Sequence, residues 1–219
     1  MNKIIRKNIL FFSSLDLTIQ SFCREHIIEL SKNNDVTVLV NQTQRKYFFK
    51  KNKIKESHIF IQRNIKIISD IKLFFLLVIF FFKNKKFDMI VTITPKAGIF
   101  GTLVGLIFNI KKRVHIFTGQ VWSTKKGLFK FLLILFDRLI IIFSTDILFD
   151  SKSQIYFIKD FIKTKKRLST VHYGSINGVD LKMFKKNDYK RKIMRKKYHI
   201  KFNKIVLLYA GRLNHDKGI

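Results

Sequence analysis

Phe87-Asp-Met-Ile-Val-Thr-Ile-Thr-Pro-Lys-Ala-Gly-Ile-Phe-Gly-Thr-Leu-Val-Gly-Leu-Ile-Phe-Asn-Ile110 decides the fold. Its first eight residues are the clearest strand in the chain, a β-branched run stopped by Pro95, the only proline. The rest, 96–110, reads as a helix with Gly98, Gly101 and Gly105 on one face. Glycine costs helix stability, so three on one face need a reason. Absent side chains let a helix approach a sheet closely. A strand followed at once by a helix fitted to a sheet is half of a βαβ unit, and the flanking segments repeat it.

Working outward, 8–13 reads as an apolar strand, 19–31 as a helix with Phe22, Ile27 and Leu30 inward, and 35–40 as a second strand. The stretch 43–69 is basic and mixed, with one short strand near 58–61, and 70–82 is helical. Beyond the deciding stretch come strand 113–118, helix 128–143, strand 146–150, helix 153–163 capped by Ser151, and strand 168–172. Alternation of this kind gives an α/β fold, a Rossmann-like doubly wound parallel sheet with helices on both faces. Ligands of such sheets lie beyond the carboxyl ends of the strands, which gathers 13–16, 94–96, 118–122 and 150–154 around one crevice.

The 219 residues carry 44 Lys+Arg against 14 Asp+Glu, a formal charge of +30. That field draws a protein toward nucleic acid, anionic lipid or phosphorylated substrates. Alanine occurs only at Ala97 and Ala210 while Lys, Ile, Phe and Asn abound. An AT-rich coding sequence looks like this, and roughly half of the excess is assigned to such drift. One cysteine, Cys23, excludes an internal disulfide, fits a reducing compartment, and reads as a small core residue. The apolar run at 9–12 is too short for a signal peptide. The longest apolar run, 73–82, is about half of what spans a bilayer. Rimmed by Lys83, Lys85 and Lys86, it reads as a buried helix that also touches lipid, so the expected location is cytoplasmic, peripheral at the inner face of the plasma membrane.

Three further segments are more specific than an alternating pattern: Val114-His-Ile-Phe-Thr-Gly-Gln-Val-Trp-Ser-Thr-Lys-Lys-Gly127, Asp150-Ser-Lys-Ser-Gln154 with Gly174-Ser-Ile-Asn-Gly-Val-Asp180, and Gly211-Arg-Leu-Asn-His-Asp-Lys-Gly218. With Thr94-Pro-Lys-Ala-Gly98, they resemble the family 4 glycosyltransferases of the GT-B fold, bacterial enzymes that build capsule, O-antigen and other surface polysaccharides. The resemblance implies two Rossmann-like domains across a cleft, the acceptor held by the first and a nucleotide sugar by the second. Transfer would proceed with retention, without a metal and without a cofactor beyond the donor substrate. On that basis 1–181 is expected to be the acceptor-binding domain, 182–204 a basic interdomain linker, and 205–219 the first strand and turn of a truncated donor domain.

Arg212 and Lys217 match the family's basic pair on the donor diphosphate. The leaving diphosphate gains negative charge as the glycosidic bond breaks, so fixed cations there favour the transition state. Arg grips phosphate bidentately and Lys supplies a point charge. Acceptor-cleft candidates are Ser14, Lys96, Thr118, Gly119, Gln120 and Trp122, with Ser123 and Thr124 in the same loop. Trp122 reads equally as a sugar-stacking platform and as a packed loop anchor. Gly174, Asn177 and Gly178 are hinge candidates. Where many relatives have a Gly-Gly turn after the first strand, this chain has Ser13-Ser14-Leu15-Asp16. Where many have histidine it has Thr118, with His115 inside the strand. The family's Glu-x7-Glu segment is absent from these residues, so no catalytic acid or base is assigned.

The expected partners are a nucleotide sugar, a lipid-linked saccharide and an anionic membrane surface, with no nucleic acid, and the chain alone is expected to be inactive. Two alternatives remain open: a noncatalytic acceptor-binding half or decayed gene product, and a basic nucleic-acid-binding protein using the run 182–204.

Overall fold

The structure, a computed structural model, describes residues 5–41, 49, 54–62, 64–84, 86–211 and 213. They divide into two compact units, the first ending at Gly178 and the second starting at Val179. The first unit holds β1 (Asn8–Ser13), α1 (Asp16–Phe22), α2 (Arg24–Ser31), β2 (Asp35–Val40), β3 (Lys55–His58), α3 (Ile67–Lys83), β4 (Met89–Ile93), α4 (Pro95–Ile107), β5 (Lys112–Phe117), a 3-10 turn (Val121–Thr124), α5 (Gly127–Phe143), β6 (Asp146–Phe149), α6 (Lys152–Lys159) and β7 (Leu168–Thr170). All seven strands pair in parallel, in the order β3-β2-β1-β4-β5-β6-β7. The direction of winding reverses between β1 and β4.

Burial explains the strand sequences. In β1, Ile9 and Phe11 enter a cluster with Ile19, Cys23 and Ile27 of the α1–α2 layer. Leu10 and Phe12 enter another with Leu73, Leu77 and Phe81 of α3 and Ala97 and Val104 of α4. A strand covered on both faces reads as an unbroken apolar run. Trp122, Ile140, Phe149 and Ile158 centre the third cluster, under α5 and α6.

The glycine stripe of α4 does what its spacing implies. A Cβ at Gly98 would fall 2.5 Å from the His115 ring, and one at Gly101 would fall 2.6 Å from Thr92 and 2.8 Å from Phe12. At Gly105 the nearest atoms, on Arg113 and Ile90, stand off at 3.2 Å.

Cations cover helix carboxyl ends. Lys166 Nζ donates to the carbonyls of Ile141 (2.8 Å), Ile142 (2.6 Å) and Ser144 (2.5 Å) at the end of α5. Arg113 Nε donates to Phe143 O at 2.7 Å. These groups complement the negative end of the helix dipole, so part of the basic excess has a structural use.

Three expectations fail. The short strand expected near 58–61 lies at Lys55–His58. Residues 19–31 are two helices broken at Cys23, whose φ of −125° leaves the helical region. Phe22 is exposed, and Ile19 and Cys23 fill the core in its place. Residues 205–210 form no strand; Ile205, Leu207 and Leu208 are exposed. A strand that apolar on both faces is stabilised by neighbours, and among the described residues none pairs with it. In the second unit α7 (Asp188–Lys197) carries the basic run, capped by the Asn187 side chain, with Arg195, Lys196 and Lys197 in its last turn.

Candidate functional site

The reversal between β1 and β4 opens the crevice where a doubly wound sheet receives ligands. Two side chains bridge it. Ser14, just past β1, donates to Thr94 Oγ1 from its backbone N–H at 3.1 Å and from its hydroxyl at 2.7 Å. Thr94 stands before Pro95 at the start of α4 with φ 81° and ψ 144°. A β-branched residue at positive φ is strained, and such strain collects at functional sites. With its hydroxyl turned to Ser14, Thr94 gives α4 no side-chain cap. Pro95 has no N–H and Gly98 N donates to Thr94 O at 2.8 Å, so the N–H groups of Lys96 and Ala97 are the ones left at the crevice end of the sheet without the usual oxygen. At α1 the Asp16 Oδ1 accepts from Leu17 N at 2.7 Å, so a carboxylate of the chain itself occupies that helix start.

Thr118, Gly119 and Gln120 follow β5, the strand beside β4. Gly119 sits at φ 120° in open space. Gln120 is buried, and its amide nitrogen Nε2 has no hydrogen-bond partner among the described residues. A buried N–H donor without an acceptor is rare in a folded protein, and a bound oxygen would satisfy it. At the end of β6, partial burial holds the Asp150 carboxyl above its ordinary range, against the opposing hydrogen bond of Ser151. Ser151 caps α6 through Gln154 N at 3.3 Å.

Other candidates are placed elsewhere. Lys96 is drawn off to α3: its Nζ meets Asp70 Oδ1 at 2.5 Å and Asn64 O at 2.6 Å, with both ionic side chains largely buried. It pins the α3 entry and does not line the crevice as a free cation. Trp122 is the packed anchor. Its Nε1–H donates to Asp137 Oδ2 at 2.7 Å, Phe157 stacks on it at 5.1 Å and Phe161 meets it edge-on at 4.8 Å, leaving no face for a sugar. Gly174 and Asn177 are clamped. A Cβ at Gly174 would strike Asp150 O at 2.7 Å, and Asn177 Nδ2 donates to Ser21 O at 2.8 Å, so both fasten this segment to the first unit. Gly178, at φ 62° with nothing nearby, is the unclamped member and stands at the division between the units.

His115 is structural. The Thr92 hydroxyl donates to Val114 O at 3.1 Å, so its oxygen accepts from His115 Nδ1–H at 2.8 Å, which fixes the tautomer. Burial pushes the ring down to about 3, keeping it neutral. Burial pushes the Cys23 thiol up to about 12, so it is no nucleophile. Arg212, Lys217 and Lys85 lie outside the described residues. No cluster of potential metal ligands occurs among the described residues. Sequence reasoning missed the Ser14–Thr94 bridge and the Asp137–Trp122 pair. Thr-Pro directly after an apolar strand, and a lone acid in an apolar helix beside the lone tryptophan, were the available signals.

No protein-family model matches the chain. It is 30% identical over 161 residues to the capsular polysaccharide biosynthesis glycosyltransferase CapM of Staphylococcus aureus, a match covering 73% of this chain and 41% of that protein. The chain thus spans less than half the length of this relative. Among solved structures, it superposes on sucrose-phosphate synthase of Thermosynechococcus elongatus with a TM-score of 0.69 at 13% identity, over 97% of this chain and 57% of that one. Anabaena HepE in complex with UDP and glucose gives 0.61 at 15% identity, over 88% and 50%. The fold is therefore a Rossmann-like α/β unit matching about half of larger GT-B structures.

Proposed function

We propose that this chain is the acceptor-binding part of a glycosyltransferase that moves a sugar, with retention, from a nucleotide sugar to a polyprenyl-diphosphate-linked saccharide of a surface polysaccharide, at the inner face of the plasma membrane. The observation that carries the reading is the identity to the capsular enzyme across 161 residues. The UDP and glucose bound by the fold neighbour HepE support a nucleotide sugar as donor. On this reading 1–181 binds the acceptor, Gly178 serves as the hinge into the basic linker 182–204, 205–219 opens the donor domain, and Arg212 and Lys217 meet the donor diphosphate.

The uncapped start of α4 attracts the acceptor's phosphate groups through its N–H dipoles. Gln120 donates its free amide N–H to a sugar hydroxyl oxygen, and Ser14 with Thr94 fixes the crevice floor. Binding of a polyprenyl-diphosphate disaccharide in nanodiscs tests this. Gln120→Ala removes a buried donor and should weaken binding about tenfold. Unchanged affinity in that variant, or no binding by the parent chain, would refute the assignment.

A further inference from the structure

We propose that the outward faces of α3, α4 and α5 form one docking surface for an anionic lipid bilayer. The three helices are neighbours, α4 packing against both α3 and α5. Leu73, Leu77 and Phe81 of α3 and Ile140 and Ile141 of α5 point to the core. Opposite them α3 exposes Ile68, Ile71, Phe75, Ile79 and Phe82, spaced along one stripe. On α5 the exposed apolar residues are Leu128, Phe129, Phe131, Leu132, Leu135 and Ile142, and α4 adds Leu106 and Ile107 between the two.

Size sets this surface apart. Phe75 is 58% exposed, Phe82 75%, Phe129 48% and Phe131 62%. At about 200 Å² for a whole phenylalanine, these four alone present roughly 500 Å², already the largest patch an ordinary monomer shows. Compositional drift does not explain it. A chain with 44 Lys+Arg has lysine to spare for solvent-facing positions, yet α3 between Asp70 and Lys83 carries only Lys72, and α5 only Lys130, Asp137 and Arg138.

Charge selects the occupant. Lys66, Lys83, Lys86, Lys111, Lys112, Lys125 and Lys126 are exposed around the ends of the three helices. An apolar shelf with a basic rim fits acyl chains under anionic headgroups. A second copy of the chain would oppose its own rim to another of the same sign, at +30 per chain. No helix among the described residues is long and apolar enough to cross a membrane, so contact is made from one side. The surface rests on the membrane location in the reading above. Its test contains no saccharide, so its failure leaves acceptor binding untouched, and failed acceptor binding leaves it untouched.

The full chain is sedimented with vesicles of phosphatidylcholine alone and with about 30% phosphatidylglycerol. The anionic vesicles should bind at least tenfold more strongly. Phe75→Ser with Phe131→Ser should reduce that binding at least tenfold, and Lys83→Glu, Lys86→Glu, Lys125→Glu and Lys126→Glu together should abolish the preference for anionic lipid. All six positions are exposed, and unchanged far-UV circular dichroism certifies the fold. Unaltered sedimentation of the serine variant, equal binding to both vesicles, or self-association that the serine changes abolish without any vesicle binding would overturn the proposal.

Discussion

Asp137 is a carboxyl group that the fold stabilises less the more it ionises. It is buried in α5, accepts from Trp122 Nε1 at 2.7 Å, and burial pushes it up to about 7 from an ordinary 3.8, against a smaller opposing pull from the indole hydrogen bond. Because the folded value lies above the unfolded one, the folded chain holds the extra proton between them. Its contribution is complete below about pH 4 and is lost as pH rises through about 7. A difference of about three units at 1.36 kcal/mol each is up to about 4 kcal/mol. Asp137→Asn keeps an oxygen for the indole and removes the ionisation. Its stability relative to the parent should therefore climb by up to about 4 kcal/mol between about pH 4 and pH 8. His115 runs the other way, losing stability as pH falls below 6.5, but it is present in both proteins and cancels in the difference. Urea midpoints at a series of pH values give the comparison, with the lone tryptophan as fluorescent reporter. Trp122→Phe, followed by circular dichroism, should carry this loss of stability to higher pH by removing the opposing donor. Parallel pH curves for the parent and Asp137→Asn would mean that Asp137 does not hold a raised pKa in the folded chain.

The close approach of α4 predicts a ranking. Gly98→Ala and Gly101→Ala should each cost about 1–3 kcal/mol despite alanine's better helix propensity, and Gly105→Ala less, as read from denaturant midpoints. An equal or stabilising effect at all three would contradict the packing. Lys166→Met leaves three carbonyls at the end of α5 without their cation and should cost about 1–2 kcal/mol, with amide exchange accelerated in residues 140–144. Cys23 should resist thiol reagents at about pH 8 until the chain unfolds, and rapid labelling of the folded chain would show its burial to be wrong.

Where hydrophobic pattern alone dictates structure, the residues announce it. The run at Asn8–Ser13 is apolar on both faces because both are covered, and the α4 glycines read as a sheet contact because nothing else justifies them. Side-chain allegiance is less legible. Lys96 follows a strand, as a ligand-binding lysine would, but Asp70 lies far back in sequence and claims it through tertiary contact. Trp122 had two readings of equal standing until Asp137 and the α6 phenylalanine Phe157 closed around it. The break at Cys23 was hidden because the small thiol continues the apolar spacing while the backbone does not. The 205–210 run shows the opposite limit: strand composition yields a strand only where partners exist.

A polyprenyl-diphosphate disaccharide bearing a photoreactive group on its sugar tests the acceptor crevice most directly. After irradiation in nanodiscs and peptide mapping, the labels are expected on residues 13–16, 94–96 and 118–120, at the carboxyl ends of β1, β4 and β5, and excess unlabelled acceptor should compete them away. Labelling that is not competed, or that falls on α7 and its flanks while these three segments stay clean, would contradict the crevice as the acceptor site.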